Sequence, residues 1–174
     1  MAKNPKTVAV LVEDLYQVLE VWYPVLRLKE AGIRTVTIGS GTKETYGSRE
    51  GYPCKVETSI DKVNARDFDG VVIPGGYAPD ILRRYPKIVE FVRQLHDEGK
   101  AVASICHGGW LLVSAGILKD RKATSFFAIK DDLIAAGAEY VDAEVAVDGN
   151  LITSRKPDDL PRFTEELIKF LNQL

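Results

Sequence analysis

Histidine and cysteine are scarce in this chain of 174 residues: His96 and His107, Cys54 and Cys106, beside a single methionine. Two histidines leave little for a His-rich zinc site. Two isolated cysteines lack the paired spacing of a thiolate metal site or a disulfide framework. No metal and no cofactor is expected. Charge of one sign is also missing: 23 Lys+Arg against 25 Asp+Glu give a formal net charge of −2. That balance argues against nucleic acid and a polybasic membrane surface as partners. No apolar run approaches the ~20 residues of a membrane helix. The opening Met-Ala-Lys-Asn-Pro-Lys-Thr runs into a short apolar segment without a signal peptide. The expectation is a soluble cytoplasmic protein with reduced thiols and no membrane or nucleic-acid partner.

What is present is ordinary globular composition, 45% apolar and 28% charged. No repeat and no Pro/Gly/Ser-rich linker divides the chain, so residues 1–174 read as one domain. A fold of this length hides roughly 70% of the surface that its unfolded chain exposes, and does not need disulfides. Short β-branched runs alternate with helical patterns. Val8–Val12, Arg34–Ile38, Gly70–Ile73 and Lys100–Ile105 read as strands. Val18–Ala31, Pro86–Glu98 and about Leu160–Leu174 read as helices with one apolar face. Pro24 lies inside the first and is expected to kink or interrupt it. Gly32 and Gly99 mark helix ends. The stretch from about Glu139 to Ser154 reads as a hairpin around Asp148-Gly-Asn150. Strands separated by helices predict an α/β, doubly wound, mainly parallel sheet with right-handed crossovers. Sites in such folds lie beyond the carboxyl ends of strands.

One of those ends carries Ala103-Ser-Ile-Cys-His-Gly-Gly109, a strand that finishes in a cysteine and turns into a helix. This is the layout of a nucleophile elbow with Cys106 as nucleophile. A tight turn lifts the sulfur clear of the sheet, and the following helix N-terminus is expected to favour the thiolate. His107 is the candidate base. Neighbours i and i+1 on a regular helix do not face each other, so the pair requires a distorted turn. Pro74-Gly75-Gly76, after another strand, offers bare N–H groups for an oxyanion, together with the His107 amide. Cys54 and His96 have no comparable context and read as structural.

Taken with Glu20-Val-Trp-Tyr-Pro24, Val72-Ile-Pro-Gly-Gly-Tyr-Ala-Pro-Asp80, Ile129-Lys-Asp-Asp132 and Val141-Asp-Ala-Glu144, these segments resemble the PfpI family of intracellular proteases and deglycases. The resemblance runs in order through nearly the whole chain. It implies a flavodoxin-like sandwich with Cys106 as nucleophile and Glu20 hydrogen-bonded to its sulfur. It also implies that Asp80 offers an acid to the histidine of a neighbouring subunit, hence a homo-oligomer (dimer or hexamer). The implied substrate is a peptide bond, or alternatively a small carbonyl compound such as methylglyoxal and its adducts on glycated protein. A reading of another class is a stress protein that senses oxidation at Cys106 or acts as a chaperone. Two departures stand out. Gly108-Gly109 replaces a glycine-proline pair and is expected to loosen the turn, and Phe126 stands where relatives carry a tyrosine. No histidine follows His107, which argues against a working glutaminase.

Overall fold

The computed structural model describes residues 5–174. In chain order the elements are β1 (Thr7–Val12), α1 (Val18–Glu30), β2 (Arg34–Gly39), β3 (Thr45–Gly47), β4 (Pro53–Lys55), β5 (Thr58–Ser59) and β6 (Gly70–Ile73). There follow α2 (Ala78–Leu82), α3 (Pro86–Asp97), β7 (Ala101–Ile105), α4 (Gly109–Ala115), β8 (Lys122–Ala123) and α5 (Lys130–Ala135). The chain closes with β9 (Glu139–Tyr140), β10 (Val145–Asp148), β11 (Leu151–Ser154) and α6 (Leu160–Gln173).

Seven strands form the central sheet in the order β10-β11-β7-β6-β1-β2-β5. Every pairing is parallel except β10 with β11. The inner strands β1, β6 and β7 are almost wholly buried, because helices cover both faces. That is why they read as continuous apolar runs rather than as alternating ones. The doubly wound sheet predicted from the sequence is therefore the architecture found. No helix among the described residues is long and apolar enough to cross a membrane.

The helices bury the stripes their periodicity marks. α1 turns Val21, Val25 and Leu28 inward, and α3 turns Ile88, Phe91, Val92 and Leu95. α6 buries Phe163, Leu167 and Leu171, whereas Phe170 is half-buried and Leu174, expected on the stripe, is exposed. Gly32 and Gly99 adopt φ +76° and +71°, the left-handed conformation that closes a helix C-terminus with least strain in glycine.

Two expectations need correction. α1 runs uninterrupted through Pro24, which is buried. The missing proline N–H leaves the Glu20 carbonyl without its helical donor, and packing against the sheet outweighs that loss. The antiparallel hairpin is shorter than expected, confined to Val145–Ser154. Glu139-Tyr140 instead pairs in parallel with β8 in a separate two-stranded sheet. β3 and β4 make a second small sheet, antiparallel, that packs beside the β1–α1 connection.

Candidate active site

The carboxyl ends of β1, β6 and β7 deliver three turns to one place. After β7 the chain enters a 3-10 turn at Cys106–Gly108, then α4. Cys106 has φ +61°, rare and strained for a residue with a Cβ, at about 1–3 kcal/mol. This distortion brings neighbouring side chains together. Cys106 Sγ and His107 Nδ1 lie 3.3 Å apart, a contact a regular helix does not give to residues i and i+1.

The glycines around this turn make room for close approach. A Cβ on Gly108 would lie 2.5 Å from the Ile73 carbonyl oxygen and 2.7 Å from Ser104 Oγ. One on Gly109 would press on Ile129 and Leu133 at 3.1 Å. The pair therefore lets the turn sit close against β6 and α5. The Phe126 N–H donates to the Cys106 carbonyl at 3.3 Å, which ties the turn to the segment after β8.

Glu20 reaches the same spot from the first turn of α1. It is fully buried, and its Oε2 accepts the Gly75 N–H at 2.7 Å. Its Oε1 is buried with no partner that meets hydrogen-bond geometry, although the carboxyl is close enough to Cys106 for each group to shift the other. Burial pushes the Glu20 carboxyl up to about 7, against the stabilising Gly75 N–H, the Cys106 thiol and the Arg49 charge. Burial and the Glu20 charge together push the Cys106 thiol up to about 12. The His107 and Gly76 N–H groups, both directed at the sulfur, pull the other way and do not win. The expected thiolate-favouring effect of the turn is thus outweighed by desolvation and by a neighbouring carboxylate. Glu20 and Cys106 titrate as a coupled pair, in which a proton on the carboxyl relieves the penalty on the thiolate.

Gly75 and Gly76 play different parts. The Gly75 N–H is taken by Glu20, so it is not available for an oxyanion as the sequence suggested. The Gly76 and His107 N–H groups are the two that face the sulfur. Gly76 (φ +76°) is held by a bridge to Tyr16, and Tyr77 N–H donates to the Leu15 carbonyl at 2.9 Å.

His107 is set in an aromatic frame that the sequence did not reveal. Its ring lies 5.0 Å from the Phe126 ring and 5.1 Å from the Trp110 ring. Burial, then the Arg49 charge, lowers its pKa, which favours the neutral ring. Phe126 lacks the phenol of a tyrosine but keeps the packing face. Asp80 does not reach His107 within the chain. It pairs with Arg83 at 2.8 Å and with Arg84. Arg83 lies 5.0 Å over the Trp110 ring, whose Nε1 donates to Asp132 at 2.9 Å. Asp80 therefore connects to His107 through Arg83 and Trp110. Cys54, by contrast, is a buried thiol on β4 pushed up to about 11 by burial, and His96 ends α3. Both fit the structural reading. Among the described residues no three His, Cys, Asp or Glu side chains gather as a metal site requires.

Residues 6–170 match the DJ-1/PfpI family. The chain is 48% identical over 161 residues to the Pyrococcus horikoshii protein named Deglycase PH1704, covering 92% of this chain and 96% of that one. It is 47% identical over 156 residues to the protein named Deglycase PfpI of Pyrococcus furiosus, covering 90% and 93%. Among solved structures, a two-domain protein of Anabaena variabilis with DJ-1/ThiJ/PfpI-like and ferritin-like domains superposes with a TM-score of 0.94 at 42% identity. That superposition covers 96% of this chain and 48% of the larger protein. A match over this length, on a fold whose sharpest turn carries Cys106 and His107, places the chain in the DJ-1/PfpI family.

Proposed function

We propose that this protein is a cysteine-dependent hydrolase of the PfpI type, acting on small dicarbonyl compounds such as methylglyoxal and on their adducts with protein. The observation that carries the reading is the strained Cys106–His107 pair, 3.3 Å apart, with two backbone N–H groups facing the sulfur. Relatives of nearly the same length carry the name deglycase, which favours a small carbonyl over a peptide bond.

The sulfur bonds to the aldehyde carbon as the Cys106 thiol proton passes to His107 Nδ1, so that no free thiolate has to build up. The carbonyl electron pair moves to oxygen, where the Gly76 and His107 N–H groups stabilise the developing charge. Hydrogen then moves from the former aldehyde carbon to the neighbouring ketone carbon, and water releases a hydroxy acid from the sulfur. Glu20, when protonated, removes its own penalty on negative charge at the sulfur.

The wild-type protein is expected to consume methylglyoxal, measured as loss of the dicarbonyl and formation of lactate. His107→Ala is expected to lower kcat by about 100-fold or more, the usual contribution of a positioned base. Unchanged kinetics would assign the ring to packing alone. Cleavage of a fluorogenic peptide, without methylglyoxal turnover, would replace the small-carbonyl reading by the protease one.

The reading includes a second copy of the chain. Leu19 and Leu26 on α1 and Tyr52 beside it are each more than half exposed, an apolar face that suits association. Sedimentation is expected to give a dimer or larger assembly. A monomer at working concentration would remove any role for Asp80 on a neighbouring histidine.

A further inference from the structure

One cavity borders the candidate site without belonging to it. It has a volume of about 370 Å³ and shares a wall with the site, because Phe126 lines it and also packs its ring on His107. The sheet explains the adjacency. Ser154 on β11 and Ile105 on β7 are register partners, so residues 155–156 and 106–107 leave neighbouring parallel strands side by side, about 5 Å apart at the strand ends.

The lining has two kinds of surface. Phe126, Phe127 and Tyr140 supply aromatic faces, the first two with ring centroids 4.7 Å apart. Lys130, Arg155 and Lys156 supply positive charge against one acid, Asp142. These cations are unequal. Arg155 is consumed within the fold, bonded to Asp142 at 2.7 Å and to the buried Asp159 at 2.9 Å. Lys156 meets Asp158 in an exposed pair that contributes little. Lys130 has no ion pair among the described residues. It stands at the first residue of α5, where the helix dipole disfavours a cation, with Nζ 5.5 Å from the Tyr140 ring. Tyr140 is itself fixed, its hydroxyl donating to the Ser125 carbonyl at 3.1 Å.

We infer that this cavity is a specificity subsite for a carboxylate carried on a planar or aromatic part of the substrate, with Lys130 as its charge partner. The inference rests on the proposed carbonyl chemistry at Cys106 and adds to it the class of substrate preferred. Its aromatic lining suits a flat group beside the ring that packs on His107, and Lys130, without an ion pair among the described residues, suits an anion carried on that group. A neutral three-carbon dicarbonyl reacts at the sulfur without reaching it.

The test compares 4-carboxyphenylglyoxal with its methyl ester, which differ in one charge. Wild type is expected to favour the acid by about tenfold in kcat/KM, the size of one charge-assisted contact. In Lys130→Gln the ratio falls to about one. Equal rates for acid and ester in wild type, or a ratio retained in Lys130→Gln, overturn the subsite. An NMR titration with benzoate reads the cavity without turnover. Shifts at Phe126 and Phe127 are expected in wild type and absent in Lys130→Gln, and their absence in wild type also overturns it. Benzoate binding with no consumption of any dicarbonyl would keep the subsite and remove the hydrolase reading.

Discussion

Cys106→Ser is expected to lose methylglyoxal turnover by about 1000-fold or more in kcat/KM, about 4 kcal/mol of transition-state stabilisation. The exchange alters one atom. The Gly76 and His107 N–H groups remain, as do the strained turn and the aromatic frame around His107. What is lost is a polarisable nucleophile whose proton the imidazole can take up as the bond to carbon forms; a serine hydroxyl needs a far stronger drive to ionise. Burial already penalises charge at this position, pushing even the thiol up to about 12. The folded state is expected to survive, with a melting temperature near that of wild type. Steady-state kinetics and thermal unfolding of the same samples check both halves. A serine enzyme within tenfold of wild type would mean that another group attacks the carbonyl.

Glu20→Gln is expected to remove a pH dependence from the stability of the fold. The folded carboxyl titrates at about 7, raised from 4.5, chiefly by burial. A raised pKa means that the folded state prefers the protonated form. Glu20's contribution is fully present below pH 4.5 and is lost as pH rises through 7. The difference of about 2.5 pH units corresponds to about 3 kcal/mol. Glutamine is uncharged at every pH and its carbonyl can still accept the Gly75 N–H. Denaturant unfolding at pH 5 and pH 8 should show wild type losing about 2.5 kcal/mol relative to the variant, because pH 5 already lies above the unfolded pKa. Parallel stabilities at the two pH values would show that Glu20 is not buried as a titrating acid. The same variant is expected to lower the Cys106 thiol pKa, because one of the two causes that raise it is gone. A carboxyl kept at such a cost beside Cys106 supports the proposed chemistry at that thiol.

Much of the fold was legible because its signals are local. The buried runs of β1 and β6, the apolar faces of α1 and α3, and the glycines that end those helices follow from periodicity and backbone sterics. The segments β3, β4 and β5 were not legible, and the partner of β9 was not. Each of these strands has two or three residues, too few for a period; β5 adds to the main sheet, whereas β3 pairs with β4 and β8 with β9 in two small sheets. At the site, Cys106 and His107 could be found from a strand-to-helix turn, but the geometry of their contact depends on a positive φ that sequence only hints at. The sign of the thiol shift went the other way for a plain reason. A turn amide is visible in the sequence, whereas the burial of Cys106 and the arrival of Glu20 from α1 are tertiary facts. Asp80 shows the same limit: its acidic character could be read, but not that Arg83 and Arg84 would claim it. Phe126 stood out only as a replaced tyrosine, and nothing in the sequence showed that it and Trp110 would frame the His107 ring.

The β10–β11 hairpin sets distances at the far end of its own second strand. Its turn is pinned at Asn150, whose side-chain amide donates to the His96 carbonyl at 2.9 Å and the Lys100 carbonyl at 2.8 Å. From that anchor β11 runs four residues in fixed register along β7 before Arg155 enters the cavity wall. The strand works as a ruler with its zero mark at Asn150. Side chains alternate faces along a strand, so one residue gained or lost after that mark exchanges what points into the wall for what points away. The neighbourhood of the Cys106 sulfur is measured out from a turn a full strand length distant.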